Sequence, residues 1–260
     1  MSLWQGILLG LVQGLAEFLP VSSSGHLVLV ESLIGVRMPG VFFEVALHVA
    51  TLGSVLVVYG GRLWQVLRGV LQGRRDDVRY AGLLVAATIP AGVVGALLHR
   101  QIEERFHSLL FVGVAFVVTG VVLWSTRRAQ SERTEPSPRG AVGIGLAQAV
   151  AILPGISRSG STVSAALWAK LDPSHAAEFS FLLAVPVIAG AALLEGRHAA
   201  VSIAAVGLWP FAISWVTAFL SGIWAIRFLV ALLKRGRFYA FAPYCWTVGV
   251  FTIVYAVWRP

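Results

Sequence analysis

The sequence predicts an all-α polytopic membrane protein: six transmembrane helices plus two re-entrant helix-loop-helix hairpins, arranged as inverted-topology repeats. Three observations lead there. Of 260 residues, 57% are hydrophobic and 12% charged, with a mean hydropathy of +0.81, whereas a soluble domain carries roughly 25% charged residues. The apolar stretches between charged clusters approach the roughly 20 residues that a helix needs to cross a bilayer. The chain also matches itself at an offset of 135 residues. A soluble globular enzyme is excluded.

Six segments are expected to span: about 41–60, 80–98, 108–125, 179–195, 212–233 and 243–258. The stretches 2–36 and 141–170 are also apolar, but each is interrupted by Ser, Gly and Pro around a charged residue. Bare backbone at membrane depth is tolerated only where protein or a water-filled cavity satisfies it, so these two read as re-entrant. The chain forms one membrane domain, 1–260, with repeat one about 1–125, repeat two about 141–260 and a cytoplasmic linker about 126–140.

The balance of 20 Lys+Arg over 12 Asp+Glu gives +8. Its distribution argues for membrane sidedness rather than nucleic acid. Basic residues concentrate in the expected loops 61–79 (Arg62, Arg68, Arg74, Arg75, Arg79), 126–140 (Arg127, Arg128, Arg133, Arg139) and around Lys234, Arg235 and Arg237. The loops 99–107 and 196–200 hold two and one. Placing the rich loops in the cytoplasm satisfies the positive-inside rule. It puts 2–36 on the outer side and 141–170 on the inner side. Trp64, Trp124 and Trp258 fit an interfacial belt. The single cysteine, Cys245, forms no internal disulfide, and no zinc-spaced Cys/His cluster is present. A cleavable signal peptide is not expected, because Arg37 is the first basic residue.

At the 135-residue offset, Gly10, Leu11, Gln13, Ala16, Ser22, Ser24, Gly25 and Val28 meet identical residues. The spans 44–60 and 178–195 correspond as well. Opposite sidedness makes the copies inverted, and such repeats place a binding site near the midplane, where broken helices meet.

The first break carries Gln13 and Glu17 one helical turn apart, then Pro20, Ser22, Ser23, Ser24, Gly25 and His26. One serine is accounted for as an ordinary N-cap; three beside a carboxylate and an imidazole are not. The second break reads Pro154, Gly155, Ile156, Ser157, Arg158, Ser159, Gly160, Ser161, Thr162. An arginine in the membrane costs about 2.5–3.5 kcal/mol on the lenient scale and needs an anionic partner. Hydroxyls, glycines and a helix N-terminus beside it favour a phosphate or diphosphate. The plainer alternative is a structural pair between Arg158 and Glu17. A lipid phosphate suits so deep a site, with its tail between helices. Glu44 and His48 share a helix face and either support the site or form a plain hydrogen bond; Glu178 falls near Glu44 in the repeat. Asp76, Asp77, Glu103, Glu104, Glu132 and Glu135 read as solvated, and Arg227 as snorkelling.

The motifs EFLPVSSSGH and PGISRSGST, with Glu178 to Pro186, resemble the undecaprenyl-diphosphatase (bacitracin-resistance) family of bacterial membrane proteins over essentially the whole chain. The resemblance implies hydrolysis of undecaprenyl diphosphate to the monophosphate carrier lipid in the plasma membrane, for cell-wall synthesis and bacitracin resistance. It implies a site opening to the outer face. Its catalytic positions fall on Glu17, Ser23, His26 and Arg158, with Ser23 or His26 as nucleophile. Substrate-binding positions fall on Gln13, Ser22, Ser24, Gly25, Ser157, Ser159, Gly160 and Thr162. Family members are reported to use Mg²⁺ or Ca²⁺, for which Glu17 is a candidate ligand, and no organic cofactor is expected. Gln13 stands where the family's first acidic residue falls, and Tyr244-Cys245 where Tyr-Arg is usual. The partners expected are the polyprenyl diphosphate and membrane lipids, not nucleic acid, with a homodimer left open. The competing function is a flippase of the monophosphate without phosphatase activity.

Overall fold

The computed structural model describes residues 1–36, 42–106, 108–195 and 206–258. Among these, ten α-helices carry the fold. They are α1 Leu3–Phe18, α2 Ser23–Ile34, α3 Phe42–Leu71, α4 Arg75–Phe106, α5 Leu109–Ser125, α6 Pro138–Val150, α7 Arg158–Trp168, α8 Pro173–Glu195, α9 Leu208–Lys234 and α10 Ala242–Trp258. Six stretches are long and apolar enough to cross a membrane: Phe42–Leu71, Arg75–Leu98, Leu109–Arg128, Pro173–Leu193, Leu208–Lys234 and Phe238–Trp258. The other four helices are short. At 1.5 Å per residue the longest, α1 with 16 residues, reaches roughly 24 Å, less than the roughly 30 Å of a hydrocarbon core.

The ends of the spans depart from the expected boundaries. The stretch 61–79 is not a loop, because α3 runs on through Arg62 and Arg68, and α4 begins at Arg75. Charged residues extend a helix past the apolar layer without breaking it, so charge marks the membrane edge rather than the helix end. The same holds at 99–107, helical through Phe106. Asp77 is not solvated as expected: it is buried, and its carboxylate accepts from Arg74 at 2.9 Å. Glu132 does stand at the surface, paired with Lys170, and Arg227 is exposed. Arg37, the 196–200 loop and the side chains of Glu103 and Glu104 lie outside the described residues.

The element order carries the 135-residue spacing. Helices starting at 3 and 23 recur at 138 and 158, while those starting at 75 and 109 recur within two residues, at 208 and 242. Equivalent helices also find equivalent neighbours: α1 packs on α9, and α6 on α4. Gly10 makes the first contact possible, since a Cβ there would lie 2.4 Å from the Ser214 carbonyl oxygen. Its counterpart Gly145 does so for the second, at 2.5 Å from that of Ala87. Without a hydrophobic driving force between helices in lipid, such small-residue contacts hold a bundle together by packing.

Glu178 of α8 ties α3 to α4, accepting from Arg62 Nε at 3.0 Å and Tyr80 Oη at 3.4 Å. Large apolar side chains face outward on most helices, Val85, Leu97, Leu220, Val254 and Trp258 among them. That is the surface of a protein whose solvent is lipid.

Candidate active site

Both breaks lie between short helices, and they touch. Pro20 follows the end of α1, and Leu19 leaves the helix with extended backbone at ψ 142°. Ser22 turns the chain with φ at +70°, a region that costs a non-glycine residue energy and is found where the surroundings over-determine it. Its side chain then caps α2, accepting from the Gly25 amide at 3.3 Å. The second break is longer, Ala151 to Ser157, and Gly155 has φ +90°. A Cβ at Gly25 would come within 2.9 Å of Gly155 Cα and 2.7 Å of Phe116, so the two backbones meet where only glycine fits.

The exposed carbonyls of the breaks are answered by side chains from elsewhere, as buried backbone requires. Ser159 Oγ donates to Leu19 O at 3.3 Å and Cys245 Sγ to Pro20 O at 3.7 Å. Thr119 Oγ1 donates to Gly155 O at 3.0 Å and accepts from the Ser157 amide at 3.2 Å. Cys245, at the position where an arginine was anticipated, thus serves the backbone of the first break and brings no cation.

At the centre stands Glu17, 5% exposed. One carboxylate oxygen, Oε1, pairs with the Arg158 guanidinium. The other, Oε2, accepts from Ser23 Oγ at 2.6 Å and Gln13 Nε2 at 3.2 Å. His48 Nε2 lies 3.3 Å from the same oxygen. Because His48 Nδ1 is 2.7 Å from the Glu44 carbonyl, which can only accept, the ring donates to Glu17 only with both nitrogens protonated. The structural pair weighed from sequence is therefore present. It leaves the guanidinium incompletely used: among the described residues, Arg158 Nη1 is buried without a hydrogen-bond partner, an orphaned charged donor of the kind that marks a ligand position. The first amides of α7 precede any intrahelical acceptor and add to the positive field there.

Other expected residues take different places. Although the motif holds both Glu17 and His26, the histidine that meets Glu17 is His48 of α3. His26 Nδ1 lies 2.8 Å from Ser22 O, and its Nε2 2.8 Å from Tyr244 Oη. No hydrogen bond joins Ser23 to His26 among the described residues, so the group facing the Ser23 hydroxyl is the carboxylate. Ser24 is partly exposed and 3.4 Å from Ser22 Oγ. Ser157 is the N-cap of α7, accepting from the Gly160 amide at 3.0 Å, with Ser159 Oγ 3.3 Å away. Thr162 Oγ1 donates to Arg158 O at 2.8 Å and stands 2.5 Å from Ser180 Oγ. His48 was legible as a face-sharing partner of Glu44. Tyr244 carried no periodic or spacing signal, because its partner is 218 residues away.

The residues present do not fit a protein-held Mg²⁺ or Ca²⁺. Among the described residues no three His, Cys, Asp or Glu side chains converge on a point. Both oxygens of Glu17 already face donors, one of them cationic, where such a cation would need several free hard oxygens.

Fold and site together define a polytopic helical membrane protein with a buried Arg158–Glu17 pair where two breaks between short helices meet. The family profile described as Bacitracin resistance protein BacA matches residues 6–251. The chain belongs to this family. It is 40% identical to a protein named undecaprenyl-diphosphatase from Desulforapulum autotrophicum, over 98% of both chains. A protein of the same name from Desulfosudis oleivorans is 42% identical over 96% of this chain and 97% of its own. One from Methanosphaera stadtmanae is 33% identical over 99% of both.

Proposed function

We propose that this protein hydrolyses undecaprenyl diphosphate to undecaprenyl phosphate and inorganic phosphate, with the reacting head group held between the two breaks. The observation that carries the proposal is the orphaned Nη1 of Arg158 beside the Glu17–Ser23 pair. An anionic head group entering there supplies what Nη1 lacks and competes with Glu17 for the guanidinium. Glu17, drawn off Arg158, becomes the stronger base for the Ser23 proton 2.6 Å away. Ser23 Oγ then attacks the terminal phosphorus, its proton passes to Glu17, and the bridging P–O bond breaks to release the monophosphate lipid. Water then cleaves the Ser23–phosphate ester: its proton passes to the neutral His26, and Glu17 returns its own to Ser23. Arg158 and the α7 amides stabilise charge on the non-bridging oxygens, the main demand of phosphoryl transfer.

The membrane placement belongs to the same reading. The short helix pairs α1–α2 and α6–α7 re-enter from opposite leaflets as inverted repeats. The rich basic ends lie in the cytoplasm, and the site opens to the outer face. The linker supports this sidedness: Arg133 and Glu132 amides donate to Lys170 O at the far end of α7, while Met1 contacts Val206 at the opposite end of the bundle. The hydrolase name of the relatives weighs against transport without hydrolysis. The test is phosphate release from undecaprenyl diphosphate by purified protein. Wild type is expected to turn over, and Arg158→Ala to lose about 10³-fold or more with helicity and melting retained. Leaflet exchange of the monophosphate with no phosphate release would overturn the proposal.

A further inference from the structure

Among the described residues neither Glu17 nor Ser23 hydrogen-bonds to His26, so what orients this imidazole has to be found elsewhere. Its Nδ1 lies 2.8 Å from the Ser22 carbonyl, which only accepts, so Nδ1 carries the hydrogen and the neutral ring keeps its lone pair on Nε2. At 2.8 Å from Nε2 stands the hydroxyl of Tyr244, from α10. The two ring planes are nearly parallel, at 4° with centroids 5.7 Å apart, and Phe116 makes a T-shaped contact at 4.9 Å between centroids. The imidazole is thereby fixed at both nitrogens and on one face. A phenol suits this place for a chemical reason. It donates to Nε2 of the neutral ring and, by rotating its hydrogen, accepts from Nε2–H of the protonated one. A carboxylate could pair only with the second state, and a phenylalanine with neither.

We infer that Tyr244 is a positioning residue for the reaction, holding His26 in one tautomer and one orientation through both of its protonation states. The inference rests on the proposed hydrolysis for its kinetic consequence, and on geometry alone for the contact. It assigns to α10 a part in the site although that helix brings Cys245 where an arginine was anticipated: Cys245 holds the backbone of the first break, and Tyr244 holds its imidazole.

The experiment compares wild type with Tyr244→Phe and, as a control for loss of a phenol, Tyr239→Phe, whose ring packs on Trp124. Phosphate release from undecaprenyl diphosphate and the ¹⁵N resonance of His26 Nε2 are measured on the purified full chain. Tyr244→Phe is expected to lower kcat about tenfold, leave KM within about twofold, and move the Nε2 resonance downfield as its donor is lost. Tyr239→Phe is expected to match wild type in all three. An unmoved resonance overturns the contact; a moved resonance with unchanged kcat, or a rise in KM alone, overturns the positioning role. Should Tyr244→Phe fail to fold, 3-fluorotyrosine at 244 strengthens the donor and is expected to move the same resonance upfield, with no movement again overturning the contact. A wild type that releases no phosphate sinks the hydrolase reading instead, and the resonance still decides whether Tyr244 holds His26.

Discussion

The two breaks are built on one template and do opposite work. Ser22 and Ser157, 135 residues apart, both cap the helix that follows, each accepting from the amide three residues on. Ser24 and Ser159 stand beside those caps at 3.4 and 3.3 Å. Gly25 and Gly160 both sit where a Cβ would come within 3.0 Å of a neighbour. What differs is the position after the cap: Ser23 in the first break and Arg158 in the second. One residue type offers a hydroxyl to a carboxylate, and the other offers a cation. Glu17 has no acidic counterpart, since Ile152 occupies its place in the second copy. The shared residues therefore build the breaks, and the unshared ones carry the charge and, in the proposed hydrolysis, the reactivity.

That division predicts how substitutions should sort. Ser23→Ala removes the hydroxyl whose proton faces Glu17, and phosphate release is expected to fall about 10³-fold with KM little changed. Activity near wild type would move the nucleophile to His26 or to water. His48→Gln keeps a hydrogen bond to Glu17 but removes the positive charge, and a fall of about 10- to 100-fold in kcat is expected. A loss confined to thermal stability would make His48 a packing residue. The smallest effects belong to the caps. Ser157→Ala and Ser22→Ala are each expected to cost about 1 kcal/mol of stability, read as a lower melting temperature with most activity retained. If Ser157→Ala abolished turnover in a folded protein, the shared residues would be catalytic and the division wrong.

The breaks, the six spans and the pairing of Arg158 with Glu17 were legible in the sequence because each leaves a local mark. Polar residues inside an apolar run are costly, and a carboxylate one turn from an amide shares its face. The structure also bears out the weighing of one serine as a plain cap, and extends it to both breaks. Less legible were the contacts that close only in three dimensions. Thr162 lies within the motif, yet its hydroxyl is spent on the helix carbonyl behind it and on Ser180. Glu17 and His26 are nine residues apart, but the turn at Ser22 sends the imidazole toward α10 and leaves the carboxylate to His48. Span ends were misjudged at 61–79 because a helix continues into water when its charged residues remain good helix formers.

The claim on which the rest depends is that Arg158 and Glu17 act as one unit across the breaks. A double-mutant cycle on phosphate release with Arg158→Ala, Glu17→Gln and the double variant tests it directly. Residues that act as a unit lose their effect together, so the double variant is predicted to be about as slow as the worse single one. Losses that multiply, with the two substitutions acting independently, would contradict it.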